Sequence, residues 1–543
     1  MPLKIRLLTS IIYVIASISL YAQELQWLRQ GGNEKSRAKC IQIATNGRGT
    51  SFALLEVNGN FQIQNKLFKG NEYALVLALG DNGILKWGIP IEANGGKVKA
   101  SFIAHDGYEA IWLGGHYQGR VTSKTKSLSS DGANAVFYIK ISESGDIIYA
   151  GSIPIYKEHA SVQGHCDGLG RLTIAGDFYG NVKWGNNEHS YPAKNALFLS
   201  RIDMNGDVLW SKTYPSEGLV HVSALKAQAD GSVVLAGQFN QMLDIDINAP
   251  FHTQLEEAPF IIRFDNDGNI LWKKALEAPM SSKQLSLALD AKGDFILSFS
   301  YKGKALIDYV EINSVNNSSD ILISKWSSKG TLLWHKSIGG KGADYSRGVA
   351  VDGRFRAYVS GYGAVDSSFL GNIADLSGRE QDAFISSFDA AGQQLWTERA
   401  RGTGSEIINV LFTEGENLLY LAGNFESKQM KMGGFGMSRT GDEDFFIGLL
   451  QTDRSKKPDY ARYVSVFPNP TKTILYYSVS KGFPGKDITV SIAKKNEPPI
   501  YQEKIQLKQS FAKSFNMSNQ VPGVYFLNVV NDKAQVTQRV IIE

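Results

Sequence analysis

The stretch ALFLSRIDMNGDVLW (196–210) is an alternating apolar run, a short polar turn with Gly206, and a second run that ends on an aromatic residue. That pattern is a β-hairpin. The same phrase returns as ALVLALGDNGILKW (74–87), AVFYIKISESGDIIY (135–149), PFIIRFDNDGNILW (259–272), DILISKWSSKGTLLW (320–334) and DAFISSFDAAGQQLW (382–396). Its aromatics are Trp87, Tyr149, Trp210, Trp272, Trp334 and Trp396, spaced 62, 61, 62, 62 and 62 residues apart, with Trp27 lying 60 residues before Trp87. Between the phrases sits a second hairpin, as in SALKAQADGSVVLAGQF (223–239) and NVLFTEGENLLYLAGNF (409–425). Four short strands per period, with no helical periodicity, predict the blades of a β-propeller.

The two ends of the array sharpen this expectation. Trp27 has no strand-and-turn partner before it, and DFFIGLLQ (444–451) has no aromatic strand after it. Pairing these two orphans closes a ring and removes two exposed edges. The expected fold is all-β: a seven-bladed β-propeller of about 62 residues per blade, whose last blade takes its outermost strand from the N-terminal end, followed by a small Ig-like β-sandwich. The expected domains are a signal peptide (1–22), the propeller (23–451), a linker (452–462) and a C-terminal module (463–543).

Composition agrees with an extracellular globular protein. The chain has 543 residues, 43% hydrophobic and 20% charged, with 54 Gly against 15 Pro, which favours many tight turns. Its two cysteines, Cys40 and Cys166, exclude a disulfide scaffold. Lys4 and Arg6 precede an apolar run from Leu7 to Leu20 that ends near Ala22, the pattern of a cleaved secretory signal, and the run is short for a bilayer span. No transmembrane segment is expected in the mature chain. The whole chain carries 57 basic and 53 acidic residues, and residues 23–451 carry 41 and 46. A net-negative body argues against nucleic acid as a partner.

The C-terminal stretch holds VSVFPNPTKTILYYSV (463–479 with Tyr463), PGVYFLNVV and a final TQRVIIE. It resembles the type A C-terminal sorting domain of the type IX (Por) secretion system on Phe467, Pro468, Asn469, Pro470, on Pro522, Gly523, Tyr525, and on Arg539 in an apolar-basic last strand. The resemblance implies an Ig-like sandwich handled by an outer-membrane translocon and a sortase, with the passenger reaching the cell surface or the medium by way of the periplasm. The repeat phrase is similar to the SBBP-type β-propeller repeat of bacterial secreted proteins, whose members serve mostly as scaffolds.

Motifs for chemistry are sparse. The turns at Asp203–Asp207 and Asp265–Gly268 lack the Gly and Glu positions of an EF-hand loop, and hairpin geometry accounts for them. Neither HExxH, nor GxSxG, nor a phosphate-binding Gly-rich loop occurs, so no catalytic residue, metal ligand or cofactor is assigned. Trp184, in a polar stretch, is the candidate for stacking on a sugar. Counting 10 or 11 residues on from each aromatic gives Arg37, Lys97, His159, His221, Lys283, Tyr345 and Glu406, a mostly basic set at one mouth of the channel. The other mouth carries Asn46, Asp106, Asp167, Asp230, Asp290, Asp352 and Glu414. The expected function is that of a monomeric secreted binding, adhesion or scaffold protein, with an acidic glycan or an extracellular protein as ligand. The alternative is a polysaccharide-active hydrolase or lyase with its site at a propeller mouth.

Overall fold

The computed structural model describes residues 23–123, 126–155, 161–184, 187–363, 382–453, 460–467, 471–479, 483–485, 487–494, 497–508, 511–532 and 534–542. All regular structure among them is β apart from two short 3-10 turns. The signal segment, His159 and the Pro468-Asn469-Pro470 part of the sorting motif lie outside the described residues.

The recurring unit is a four-stranded antiparallel sheet in chain order, as in Val220–Ala227, Val233–Phe239, Ala258–Phe264 and Ile270–Ala275. The first strands of the successive units are Arg37–Thr45, the second half of Leu85–His105, Val162–Cys166, Val220–Ala227, Met280–Leu289, Asp344–Val351 and Glu406–Glu414. Each of these lies beside the next, and Glu406–Glu414 returns to Arg37–Thr45, so the first strands form a closed cycle. Leu85–His105 is continuous through two units: its first half pairs with Glu72–Leu79 and its second with Ala110–Ser123.

The two orphan strands meet. Glu24–Gly32 pairs antiparallel with Asp444–Gln451, with Trp27 opposite Leu449 and Gly31 opposite Phe445, and it forms the fourth strand after Glu406–Glu414, Leu418–Phe425 and Asp444–Gln451. Leu25, Trp27 and Leu28 are each less than a tenth exposed.

The periodic aromatics hold neighbouring units together. The indole N–H of Trp27 donates to Asp81 O at 2.7 Å, Trp87 to Glu143 O at 2.8 Å, Trp210 to Asn266 O at 3.3 Å, Trp272 to Ser328 O at 2.9 Å and Trp334 to Ala390 O at 3.0 Å. Each acceptor lies in the hairpin turn of the following unit. The ring lies on that turn's glycine: at Gly268, with φ +76°, a Cβ would stand 2.8 Å from the Trp210 ring, so both the backbone conformation and the contact favour Gly. Trp396 is the exception. Its Nε1 is buried with no hydrogen-bond partner among the described residues, and the unit that follows is completed by the N-terminal strand rather than by a hairpin.

A second set of inter-unit ties uses buried cations. Arg201, fully buried, reaches Asp167 at 3.2 Å, Asn266 at 3.2 Å and Gly231 O at 2.6 Å. Arg263, Lys140 and Lys325 occupy corresponding places: Arg263 donates to Gly293 O at 2.9 Å, Lys140 lies 3.2 Å from Asp106, and Lys325 lies 3.7 Å from Asp290. Apolar clusters lie between successive sheets, as where Trp27, Tyr420 and Ile447 pack with Cys40, Leu55 and Leu77.

The C-terminal module has two antiparallel sheets, of three and four strands, around one core that includes Leu475, Tyr477, Val490, Leu527 and Val540. Its strands include Ile474–Val479, Asp487–Lys494, Gly523–Val530 and Gln535–Ile542. Tyr525 donates to Val521 O at 2.9 Å across the Pro522-Gly523 turn, and Arg539 is exposed opposite Phe526. Tyr463 donates to Asp81 Oδ2 at 3.0 Å, and Arg354 pairs with Asp453 at 2.9 Å, so the chain on either side of residues 454–459 is held against the body.

Candidate functional site

The first strands of the units enclose a central cavity of about 390 Å³. Their equivalence is fixed by the turn that ends each one. A backbone N–H donates to the carbonyl four residues on at Asn46, Asp106, Asp167, Gln228, Asp290 and Asp352. Stepping back equally from each of these bonds brings Lys39, Lys99, His221, Lys283 and Tyr345 to one level. Lys39, Lys99, His221 and Lys283 line the cavity. Arg347 also lines it, two residues deeper than Tyr345, and Lys226 lies deeper still. Among the described residues no carboxylate lines the cavity.

Of the residues expected from sequence, the structure brings His221 and Lys283 into this wall. Arg37 and Lys97 lie two residues nearer the strand starts, and Lys39 and Lys99 take the positions assigned to them. Tyr345 stacks on Tyr362 with ring centroids 5.3 Å apart. Glu406 is fully buried and accepts the Ser427 hydroxyl, so it is no part of an open mouth. Trp184 ends the strand Leu172–Trp184 and pairs through its backbone with Asn187 at the hairpin tip.

The acids expected at the opposite mouth are mostly turn caps. Asp106 Oδ1 accepts the N–H groups of Tyr108 and Ala110 at 2.9 and 3.0 Å, and Asp167, Asp290 and Asp352 make the same pair of bonds. Asn46 does so with its amide oxygen. In the fourth unit Gln228 holds the turn position and Asp230 caps Ser232. These side chains are therefore committed to the fold.

Cation crowding marks the electrostatics of the cavity. The Lys39 ammonium lies below its usual range, first through desolvation and then through the Arg347 charge; Lys99 adds repulsion, while Glu56 and Glu443 oppose it. Lys226 is pushed down to about 8 by desolvation inside the channel. His165 beside it falls to about 3, through burial and the Lys226 charge, and is neutral at physiological pH. Lys283 lies 3.9 Å from Glu257, and that exposed pair is screened by water. Cys40 and Cys166 are buried free thiols whose pKa burial raises, which makes them poor nucleophiles. Repetition of the aromatic phrase could not reveal Lys39, Lys99, Arg347 or Lys226; only the turn bonds align them.

No helix of the described residues is long and apolar enough to cross a membrane. Regulatory protein FlaEY of Caulobacter vibrioides is 28% identical over 151 residues, 26% of this chain and 15% of that protein. An uncharacterized WD repeat-containing protein, L264, of Acanthamoeba polyphaga mimivirus is 22% identical over 187 residues, 30% of this chain and 13% of that protein. The chain thus spans less than a sixth of the length of either relative. Among solved structures, YCF48 bound to D1 peptide shares 10% identity, with 67% of this chain and 95% of that chain covered, at a TM-score of 0.26. Exotype rhamnogalacturonan lyase YesX shares 11%, with 79% and 72% covered, at a TM-score of 0.30. One match is to a family model, and it covers the two-sheet module: residues 465–543 are a secretion system C-terminal sorting domain, and the chain is directed to the cell surface or beyond it.

Proposed function

We propose that this is an exported binding protein: a seven-bladed β-propeller of the SBBP-like kind (residues 23–451) that takes an anionic ligand, an acidic glycan, into its central channel. A signal peptide (1–22) and an Ig-like sorting module (463–543, after a linker at 452–462) would deliver it through the type IX translocon and sortase. The observation that carries the reading is the channel wall, where Lys39, Lys99, Lys226, Lys283 and Arg347 come from five different strands and no carboxylate among the described residues lines the cavity with them; Glu257, 3.9 Å from Lys283, stands outside that lining. Such a wall focuses a positive potential into a low-dielectric bore, although the body as a whole is net negative. A glycosidase that works through two carboxyl groups needs them about 5–10 Å apart in its cleft, and among the described residues this wall offers none.

The test is an array of acidic and neutral polysaccharides probed with the mature chain and with a Lys39→Ala/Lys99→Ala/Lys283→Ala variant. Binding confined to acidic glycans, and lost in the variant, supports the proposal. Equal binding by both proteins removes the channel from it, and depolymerisation of any glycan replaces binding with turnover.

A further inference from the structure

The cations of the channel are distributed in depth. The register places Lys39, Lys99 and Lys283 on one level, near the mouth. Arg347 stands two residues further in, and Lys226 three residues beyond that. At about 3.3 Å of rise per residue these levels lie roughly 7 Å and 17 Å below the first. A compact anion would reach one level only.

The middle level is built for an acceptor. The Arg347 guanidinium lies 4.9 Å from the centre of the Tyr362 ring and donates through Nη2 to the Tyr362 hydroxyl at 3.1 Å. Tyr362 is itself stacked on Tyr345. The group is therefore held in place before any ligand arrives. Its Nε is buried and makes no hydrogen bond among the described residues, although a buried guanidinium N–H is costly to leave unpaired. At the deepest level, no ion pair to Lys226 is seen among the described residues. Neutral amides, Gln163, Gln284 and Asn409, line the wall together with the cations. Amides suit hydroxyl groups, as cations suit carboxylates.

Resting on the anionic-channel reading above, we infer that the channel takes a linear acidic oligosaccharide lengthwise, with one carboxylate at the Lys39, Lys99 and Lys283 level, a second on Arg347 and a third approaching Lys226. Gln284 and Gln163, between these levels, and Asn409, on the Arg347 level, receive the sugar hydroxyls. Recognition then depends on chain length as well as charge, because each further uronate reaches a further level.

The experiment is calorimetric titration of the mature full chain with mono-, di-, tri- and hexagalacturonate, with the methyl-esterified hexamer and with inorganic tripolyphosphate. Affinity is expected to rise about tenfold or more with each added carboxylate up to three, and then to level off. Arg347→Gln should erase the gain from the second sugar, so that dimer and monomer bind the variant alike. Arg347→Lys, with a thermal melt of each variant, separates lost recognition from lost folding. If the monomer binds as tightly as the trimer and the esterified hexamer does not bind, lengthwise recognition is overturned and the anionic channel stands. Tripolyphosphate binding without galacturonate binding overturns the sugar assignment. Equal binding of acid and ester overturns both readings.

Discussion

Asp344 opens the sixth first strand as a fully buried carboxylate. Its Oδ2 accepts the Gly340 N–H at 3.0 Å, while Oδ1 is buried without a partner among the described residues. Asp320, also fully buried, is held by the Val315 N–H at 2.8 Å and the Ser318 hydroxyl at 3.1 Å, and its charge acts on Asp344. Burial first, and Asp320 second, raise the Asp344 pKa to about 7 from the ordinary 3.8, against the pull of the Gly340 bond. The folded state therefore holds the proton more tightly than the unfolded chain does. Between about pH 4 and pH 7 the folded protein binds more protons, so its stability falls as pH rises through that window and levels off above it. At 1.36 kcal/mol per pH unit the full shift would be slightly above about 4 kcal/mol, and we expect a contribution on the order of 2–4 kcal/mol. Asp344→Asn keeps the acceptor for Gly340 and removes the charge. The variant should be more stable than the parent by that amount near pH 8, and the gap should close near pH 4. All nine tryptophans precede residue 397, so intrinsic fluorescence during urea denaturation reports the repeat body without the sorting module. A stability gap that is constant with pH, or that widens in acid, would refute the assignment of the proton to Asp344.

Replacing Arg201 by Met should cost about 3–5 kcal/mol in the same assay, since it leaves Asp167 buried with one cation fewer; a loss below about 1 kcal/mol would show that Arg171 alone satisfies that carboxylate. Deleting residues 23–33 removes the buried Leu25, Trp27 and Leu28, each worth about 1.5–3 kcal/mol. The truncated body should unfold at lower urea, and a synthetic peptide of residues 23–33 should restore the midpoint; an unchanged midpoint would mean that the closing strand is dispensable.

The repeat was legible because its aromatics do two jobs at once. Each periodic indole buries a large surface, and all but that of Trp396 are seen to donate to the next unit's turn, as Trp210 does to Asn266 and Trp272 to Ser328. A residue tied to a fixed point in the next unit cannot drift in sequence, so the spacing records the distance between units. Ring closure was legible for a related reason. An unpaired edge is a liability, and the sequence left two edges of complementary type. Less legible were the buried cations Arg201, Arg263, Lys140 and Lys325. On a strand they look like solvent-facing charges, and only the neighbouring turn makes them structural.

The channel wall was misregistered by two residues in the first units, and the cause is physical. The aromatic is the fourth strand's anchor, and the connection from it to the next first strand varies in length: Trp27 to Lys39 is one residue longer than Trp210 to His221. Most first strands also carry a bulge, between Cys40 and Gln42, Ala100 and Phe102, Val222 and Ala224, and Ile408 and Val410, which adds a residue without adding a pair. Counting from the aromatic crosses the variable connection, whereas counting back from the turn crosses only the bulge. A slip of two keeps the strand face, which is why Arg37 and Lys97 share their charge and alternation with Lys39 and Lys99. Arg347 and Lys226 escaped for the opposite reason. Their counterparts elsewhere in the cycle are Ile41, Ser101, Val162, Ser223, Leu285 and Asn409 for Arg347, and Ala44, Ala104, His165, Ala288, Ala350 and Phe412 for Lys226. The periodic residues build the scaffold and announce themselves by repetition. Residues that set one cavity apart from its scaffold must break the repeat, and a single sequence offers no second instance by which to recognise them.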